Sequence, residues 1–201
     1  MNTPTKRGVF ASVNTALIIA ILASSQVAYA YNATALLDAF GGSTSKKSNF
    51  EPGATYSLCF VPDGPSCEEL IVNSIGKLKS SLLIQAYSFT SPAIAQAVVR
   101  AYKRGVDVRV IVDKSQMSEK YTAATFLKNE GIPVWIDSIP AIAHSKVLIL
   151  DQEAIFTGSF NFTRSAQERN AENGIVIQGD ANVVKAYTEN WQKRLRASSR
   201  F

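Results

Sequence analysis

AHSKVLILDQEAIFTGSFN, residues Ala143–Asn161, contains the only histidine of the 201-residue chain. Two short aliphatic runs within it, HSKVLIL and EAIFTGS, read as strands separated by a brief turn. Side chains two apart on a strand share a face, so His144 and Lys146 are expected to point the same way, with Leu148 behind them. Asp151 has the opposite parity and falls between the two strands, where a carboxylate caps the turn. Gly158 lets the backbone approach a ligand closely, and Ser159 and Asn161 follow it with a hydroxyl and an amide.

Outward from this stretch, apolar runs alternate with amphipathic ones. TYSLCFV (55–61) reads as a strand, CEELIVNSIGKLKS (67–80) as a helix and LLIQAYSF (82–89) as a strand. SPAIAQAVVRAYKRG (91–105) is a helix with Ser91 as N-cap, Pro92 in the first turn and Gly105 just past the end. VDVRVIVD (106–113) is a strand, and SEKYTAATFLKNEG (118–131) a helix capped by Ser118 and closed by Gly131. IPVWID (132–137) and GIVIQ (174–178) are strands, and ANVVKAYTENWQKRLR (181–196) is the last helix. Strand–helix alternation followed by a run of strands predicts an α/β fold, a mixed β-sheet flanked by helices in a sandwich. No internal repeat is present.

The amino-terminal part reads differently. Lys6 and Arg7, the apolar run at 13–23 and the small residues of Ala28-Tyr29-Ala30 follow the order of a secretory signal peptide. Cleavage is expected after Ala30, with periplasmic or secreted localisation and no stable membrane anchor afterwards. An uncleaved anchor is the alternative, but the run is short against the ~20 apolar residues that span a bilayer. Loss of residues 1–30 removes Lys6 and Arg7 and lowers the formal net charge from +5 to +3. Residues 31–50, with the small and basic GGSTSKKSN, read as a flexible leader, and 51–201 as a single domain. The 46% apolar content suffices for a core, and so mild a charge does not by itself mark a nucleic-acid binder. Cys59 and Cys67 flank the turn-rich FVPDGPS. In an oxidising compartment that arrangement predicts a disulfide, and it leaves no ligand set for zinc.

Imidazole, ammonium, hydroxyl and amide together make a phosphate site that contains a nucleophile. The lysine of such a site acts as a point charge on phosphoryl oxygens, to which Ser and Asn donate hydrogen bonds. A neutral histidine can attack phosphorus and carry it covalently, provided its other ring nitrogen is held by an acceptor. Glu172, at the start of a strand, is the candidate acceptor; a plain ion pair with Arg164 or Arg169 is the alternative.

His144-x-Lys146-x4-Asp151 followed by Gly158-Ser159-x-Asn161 resembles the HKD motif of the phospholipase D superfamily. The short chain, the single motif and GSFNFT…NAEN are most similar to the Nuc-type bacterial endonucleases within it, and the Cys59–Cys67 segment is similar to their early cysteine pair. The resemblance spans about Glu51 to Arg196. It implies that His144 is the nucleophile, that Lys146 and Asn161 bind phosphate with Ser159 in support, and that Glu172 orients the histidine. It also implies a structural Asp151 and chemistry without a metal or other cofactor.

For the substrate, DNA or RNA is the first reading and phospholipid the alternative; a non-catalytic nucleic-acid-binding module is a third. The nuclease reading calls for cations along a groove, and Lys103, Arg104, Arg109, Lys114, Arg164, Arg169, Lys193, Arg194 and Arg196 are the candidates, with ordinary solubilising charge as the other explanation. A phospholipase would need an apolar entry, and the sequence shows no amphipathic helix with a wide apolar face. One histidine also leaves the departing alkoxide without an acid. A homodimer that places two copies of His144 across one phosphate is the expected solution.

Overall fold

The computed structural model describes residues 47–118 and 122–201. The expected signal peptide, and the leader up to residue 46, lie outside the described residues. Asn49–Phe201 form one compact unit by themselves.

Strands β1 (Thr55–Val61), β2 (Ser81–Ala86), β3 (Asp107–Asp113), β4 (Val134–Asp137), β5 (Lys146–Leu150), β6 (Ala154–Gly158), β7 (Glu172–Gln178) and β8 (Ser199–Arg200) build one eight-stranded sheet, ordered β1-β7-β6-β5-β2-β3-β4-β8. Strands β2, β3 and β4 run parallel, while β5, β6 and β7 join by antiparallel pairing. Helices α1 (Cys67–Gly76), α2 (Pro92–Lys103) and α3 (Ala123–Asn129) bury Ile71, Ile75, Ile94, Val98 and Leu127 in the core on one face. The other face is covered by α5 (Ala181–Ala197), whose Val184 and Trp191 pack on Leu83, Ile111, Val147, Ile149 and Ile155. A one-turn helix, α4 (Arg164–Glu168), sits between β6 and β7. The mixed, helix-flanked sheet is the fold class that the alternating pattern predicts.

Local chemistry explains the helix ends. The Ser91 hydroxyl accepts from the Ile94 amide at 3.2 Å, Pro92 opens α2, and Gly105 follows it at φ 92°. Asp180 caps α5 by accepting from Val183 at 2.9 Å. The cap expected at Ser118 is not the start of α3. Asp113 caps a 3-10 turn over Lys114–Met117 and Ser118 closes that turn, so α3 begins later, with Thr122 as its cap. The Ala123 amide bonds to the Phe89 carbonyl at 2.8 Å, which ties the helix start to the end of β2 rather than to its own upstream sequence. Cys59 and Cys67 are joined in a disulfide with their Cα atoms 5.0 Å apart.

Asp151 corrects a second expectation. It does not cap the turn it occupies; with Gln152 it forms that turn, both at positive φ (52° and 59°). Its carboxylate instead reaches a loop 70 and more residues away, accepting from the backbone amides of Lys79, Ser80 and Ser81 at 2.8–2.9 Å and from the Ser80 hydroxyl at 2.9 Å. Burial pushes the Asp151 carboxyl up, but these donors outweigh it and hold the group below the ordinary aspartate value. A depressed acid stabilises the fold above its unfolded pKa, and that stability is lost as pH falls through the folded value. Asp151→Ala, which strands several amides, is therefore expected to cost ~1–3 kcal/mol at neutral pH. The deficit should shrink below pH ~4, where the unfolded carboxyl also protonates. Urea unfolding at the two pH values measures it, and a deficit that does not change with pH contradicts the assignment.

Candidate active site

The antiparallel β2–β5 pair aligns Ala86 with Lys146, so the residues just after β2 face the residues just before β5. His144 lies in that approach rather than in the strand, because the Ala143 amide is held by Asp113 Oδ2 at 2.7 Å and β5 starts at Lys146. A backbone bond from Tyr87 N to Ser145 O at 2.9 Å fixes the crossing.

Here the expected pair meets. Lys146, only 6% exposed, places Nζ at 3.1 Å from His144 Nδ1 and 3.2 Å from Nε2, and donates to the His144 carbonyl at 2.9 Å. One ammonium cannot bond both ring nitrogens along their diverging lone pairs, so it lies against the imidazole as a charge and takes its firm bond from the carbonyl. Tyr87 completes the group: its ring centroid is 4.5 Å from the imidazole and 5.3 Å from Lys146 Nζ. Burial draws the Lys146 pKa below the ordinary lysine value, and the Glu172 carboxylate partly restores it. His144 itself is exposed.

Glu172 and Ser159 form the second cluster. The Ser159 hydroxyl donates to Glu172 Oε2 at 2.5 Å and accepts from the Asn173 amide at 3.0 Å, while Asn170 Nδ2 donates to Glu172 Oε1 at 2.7 Å. Glu172 is thus held by Ser159 and Asn170, with Lys146 in electrostatic reach, and Arg164 is paired with Glu168 instead. Among the described residues the side-chain oxygen of Asn161 is buried without a hydrogen-bond partner.

Gly158 also meets a need within the sheet. A Cβ there would collide with the Asn173 carbonyl and lie 2.7 Å from Gly174 Cα, because β6 and β7 pass glycine over glycine at this register. The close approach seen here is to β7, and Gly158 also borders the cavity beside His144 and Lys146. Gly174 is constrained in turn by the Phe156 ring at 2.6 Å and Cys59 Sγ at 2.8 Å from a built Cβ.

Two residues at the end of β2 were not expected at the site. Gln85 and Tyr87 flank the end of β2, and only the β2–β5 pairing brings them to His144. With His144, Lys146, Thr157 and α5, Gln85 borders a cavity of about 410 Å³, while the Tyr87 ring lies against the imidazole. Conversely, most candidate groove cations are committed locally. Lys103 pairs with Glu130, Arg109 with Asp107 and Arg194 with Asp137. Arg104 donates to the Ile75 carbonyl at 3.1 Å and Lys114 to that of Pro140 at 3.1 Å. Among the described residues no group of three or more His, Cys, Asp or Glu side chains is placed to hold a metal ion, and no helix is long and apolar enough to cross a membrane.

The chain is similar to known proteins. Residues 71–195 match the family described as "Cardiolipin synthase, PLD-like domain". A protein named phospholipase D from Rickettsia conorii is 41% identical over 138 residues, 69% of this chain and 68% of its own. The mitochondrial cardiolipin hydrolase of Mus musculus is 31% identical over 142 residues, 71% of this chain and 64% of its own. The crystal structure of Nuc from Salmonella typhimurium, a phospholipase D family member, superposes with a TM-score of 0.71 at 36% identity, over 74% of this chain and 98% of that one. With a histidine–lysine pair seated at the end of the same kind of sheet, the chain belongs to the phospholipase D superfamily and is an enzyme of its phosphodiesterase class.

Proposed function

We propose that this protein is an exported, metal-independent endonuclease that cleaves phosphodiester bonds of DNA or RNA through a phosphohistidine on His144. The observation that carries the chemistry is the buried Lys146 ammonium lying against an exposed imidazole. Phosphate oxygens drawn to Lys146, with Asn161 and Ser159 nearby in sequence, would present phosphorus to a ring nitrogen of His144. Attack forms a P–N bond and expels the alkoxide; water then breaks that bond and frees the histidine. The Ser159–Glu172 cluster keeps a carboxylate beside Lys146 and favours its charged form.

The departing alkoxide needs a proton, and the attacking ring cannot supply it in the same step. A homodimer with a shared active site supplies it from the second copy of His144. The exposure of His144 supports this reading, as do Tyr56, Leu58 and Phe60, exposed apolar side chains on edge strand β1, whose neighbour β7 carries Glu172. The Cys59–Cys67 disulfide suits an oxidising compartment. Mass spectrometry of the chain recovered from the periplasm or medium should find Tyr31 first; a chain retaining residues 1–30 overturns the proposed processing.

A phospholipid substrate is the second reading. The relatives named phospholipase D and cardiolipin hydrolase favour it, and so do Ile139 and Ile142, exposed on the segment leading into His144. Incubating the protein with plasmid DNA, RNA and phosphatidylcholine vesicles in excess EDTA separates the readings. Cleavage of nucleic acid that survives EDTA is expected. Lipid hydrolysis without nucleic-acid cleavage overturns the nuclease reading, and loss of activity in EDTA overturns the metal-independent one.

The lysine environment sets a pH signature. Since phosphate binding uses the ammonium, kcat/KM should fall as pH rises through the depressed Lys146 pKa, earlier than an ordinary lysine at ~10.4 would dictate. Glu172→Gln removes the carboxylate that raises this pKa and is expected to move the alkaline limb to lower pH. An unmoved limb in the pH–rate profile contradicts Lys146 as the group responsible.

A further inference from the structure

We infer that the cavity between α5 and the sheet is the subsite for the base beside the scissile phosphate, with Gln85 and Asn190 reading that base's hydrogen-bonding edge. This rests on the nucleic-acid reading above and gives it a specificity element. The starting observation is Gln85, a polar residue on an aliphatic face. It pairs in register with Ile111 on β3 and Val147 on β5, and it is 5% exposed. Its side-chain amide makes no hydrogen bond among the described residues, although it lines the cavity. A carboxamide carries two donors and two acceptor sites, and native interiors leave few such groups unpaired. The Gln85 amide, open to the cavity and unengaged by the described residues, is thus placed to pair with an occupant of that cavity.

The opposite wall is set just as firmly. Trp191, 2% exposed, donates its indole N–H to the carbonyl of Ile84, the residue before Gln85, at 2.9 Å. That bond fixes α5 over the sheet. Tyr187 and Asn190, three apart on α5, share one side of the helix, and Ala186 beside them fills little space. The resulting volume of about 410 Å³ opens beside His144 and Lys146, and it lies within the range of about 300–1,000 Å³ common for small-ligand sites.

Charge selects among occupants. No carboxylate lines the cavity, and its fixed cation is Lys146. A choline or ethanolamine head group would meet the like charge of Lys146 with no carboxylate in the cavity lining to receive it. A neutral planar heterocycle suits the lining better: the Tyr187 ring offers a stacking face, while the Gln85 and Asn190 amides each offer a donor beside an acceptor.

The test compares a dinucleotide with its counterpart lacking the base on one or the other side of the phosphate, in EDTA, for wild type, Gln85→Leu and Asn190→Ala. Wild type should favour the base-bearing substrate in kcat/KM by about tenfold or more, the scale of one well-made hydrogen-bonding contact. In both variants that ratio should fall towards one, chiefly through KM. Asn190 is exposed on α5, so its variant reports on the subsite without disturbing the core. A ratio that stays at the wild-type value, or losses equal on both substrates, overturns the inference. Cleavage of the dinucleotide without base preference removes this inference alone. Hydrolysis of phosphatidylcholine with neither dinucleotide cleaved removes the nucleic-acid reading and the inference together.

Discussion

A His144→Ala chain is expected to fold normally and to hydrolyse phosphodiesters at least about 10⁴-fold more slowly than wild type, because nucleophilic and acid–base roles converge on one ring. The imidazole is exposed, so its truncation opens no cavity in either core. Tyr87 and Lys146 lose a neighbour, but Lys146 keeps the carbonyl of residue 144 as an acceptor. Unchanged far-ultraviolet dichroism together with the lost turnover is the expected result, and substantial residual turnover ends the mechanism. Chain mixing carries the test further. Wild-type and His144→Ala chains refolded together in equal amounts give about one quarter wild-type pairs in a random two-fold dimer. Activity relative to the same total of wild-type chains should therefore approach one quarter if two histidines serve one phosphate. If each chain works alone it should be one half, and that outcome would sink the shared site.

Arg194→Ala should produce the largest stability loss, ~3–5 kcal/mol, by leaving a buried carboxylate without its counter-charge. Asp137 is fully buried on β4, and Arg194 holds it with both prongs of the guanidinium, Nε to Oδ2 at 2.6 Å and Nη2 to Oδ1 at 2.5 Å. For a chain of this size ~2–4 °C accompanies each kcal/mol, so the midpoint should drop by about 6–20 °C. The cost arises from the uncompensated charge more than from the lost contact. The double variant Asp137→Leu/Arg194→Leu is accordingly expected to recover much of the stability. Thermal and urea unfolding of both proteins decides it. A single variant within ~1 kcal/mol of wild type, or a double variant no better than the single, would show that the pair is not the support described.

Several parts of this protein were readable wherever cause and effect lie close along the chain. Ser91, Pro92 and Gly105 mark the ends of α2 because caps act within one turn of backbone. His144 and Lys146 meet because two residues of separation let the lysine side chain fold back on the imidazole and the carbonyl of His144. Cys59 and Cys67 are joined across a loop short enough to be read as one. The strand–helix alternation sufficed for the fold class, since each element's buried face is written in its own periodicity.

Other assignments depended on partners that the sequence does not place. Asp151 sits in a turn of its own, yet its carboxylate serves the loop before β2. Gly158 is required by Gly174, and Arg194, which looks like a free groove cation, is spent on Asp137. Gln85 and Tyr87 carry no motif and reach the site only because β5 lies beside β2 in antiparallel register. The sequence by itself determined the alternating α/β fold, the histidine–lysine pair and the disulfide, because these rest on short-range backbone geometry. Strand order and register decided which residues share the end of the sheet with His144, since pairing between strands is settled by burial across the whole core and not by any residue's neighbours in sequence.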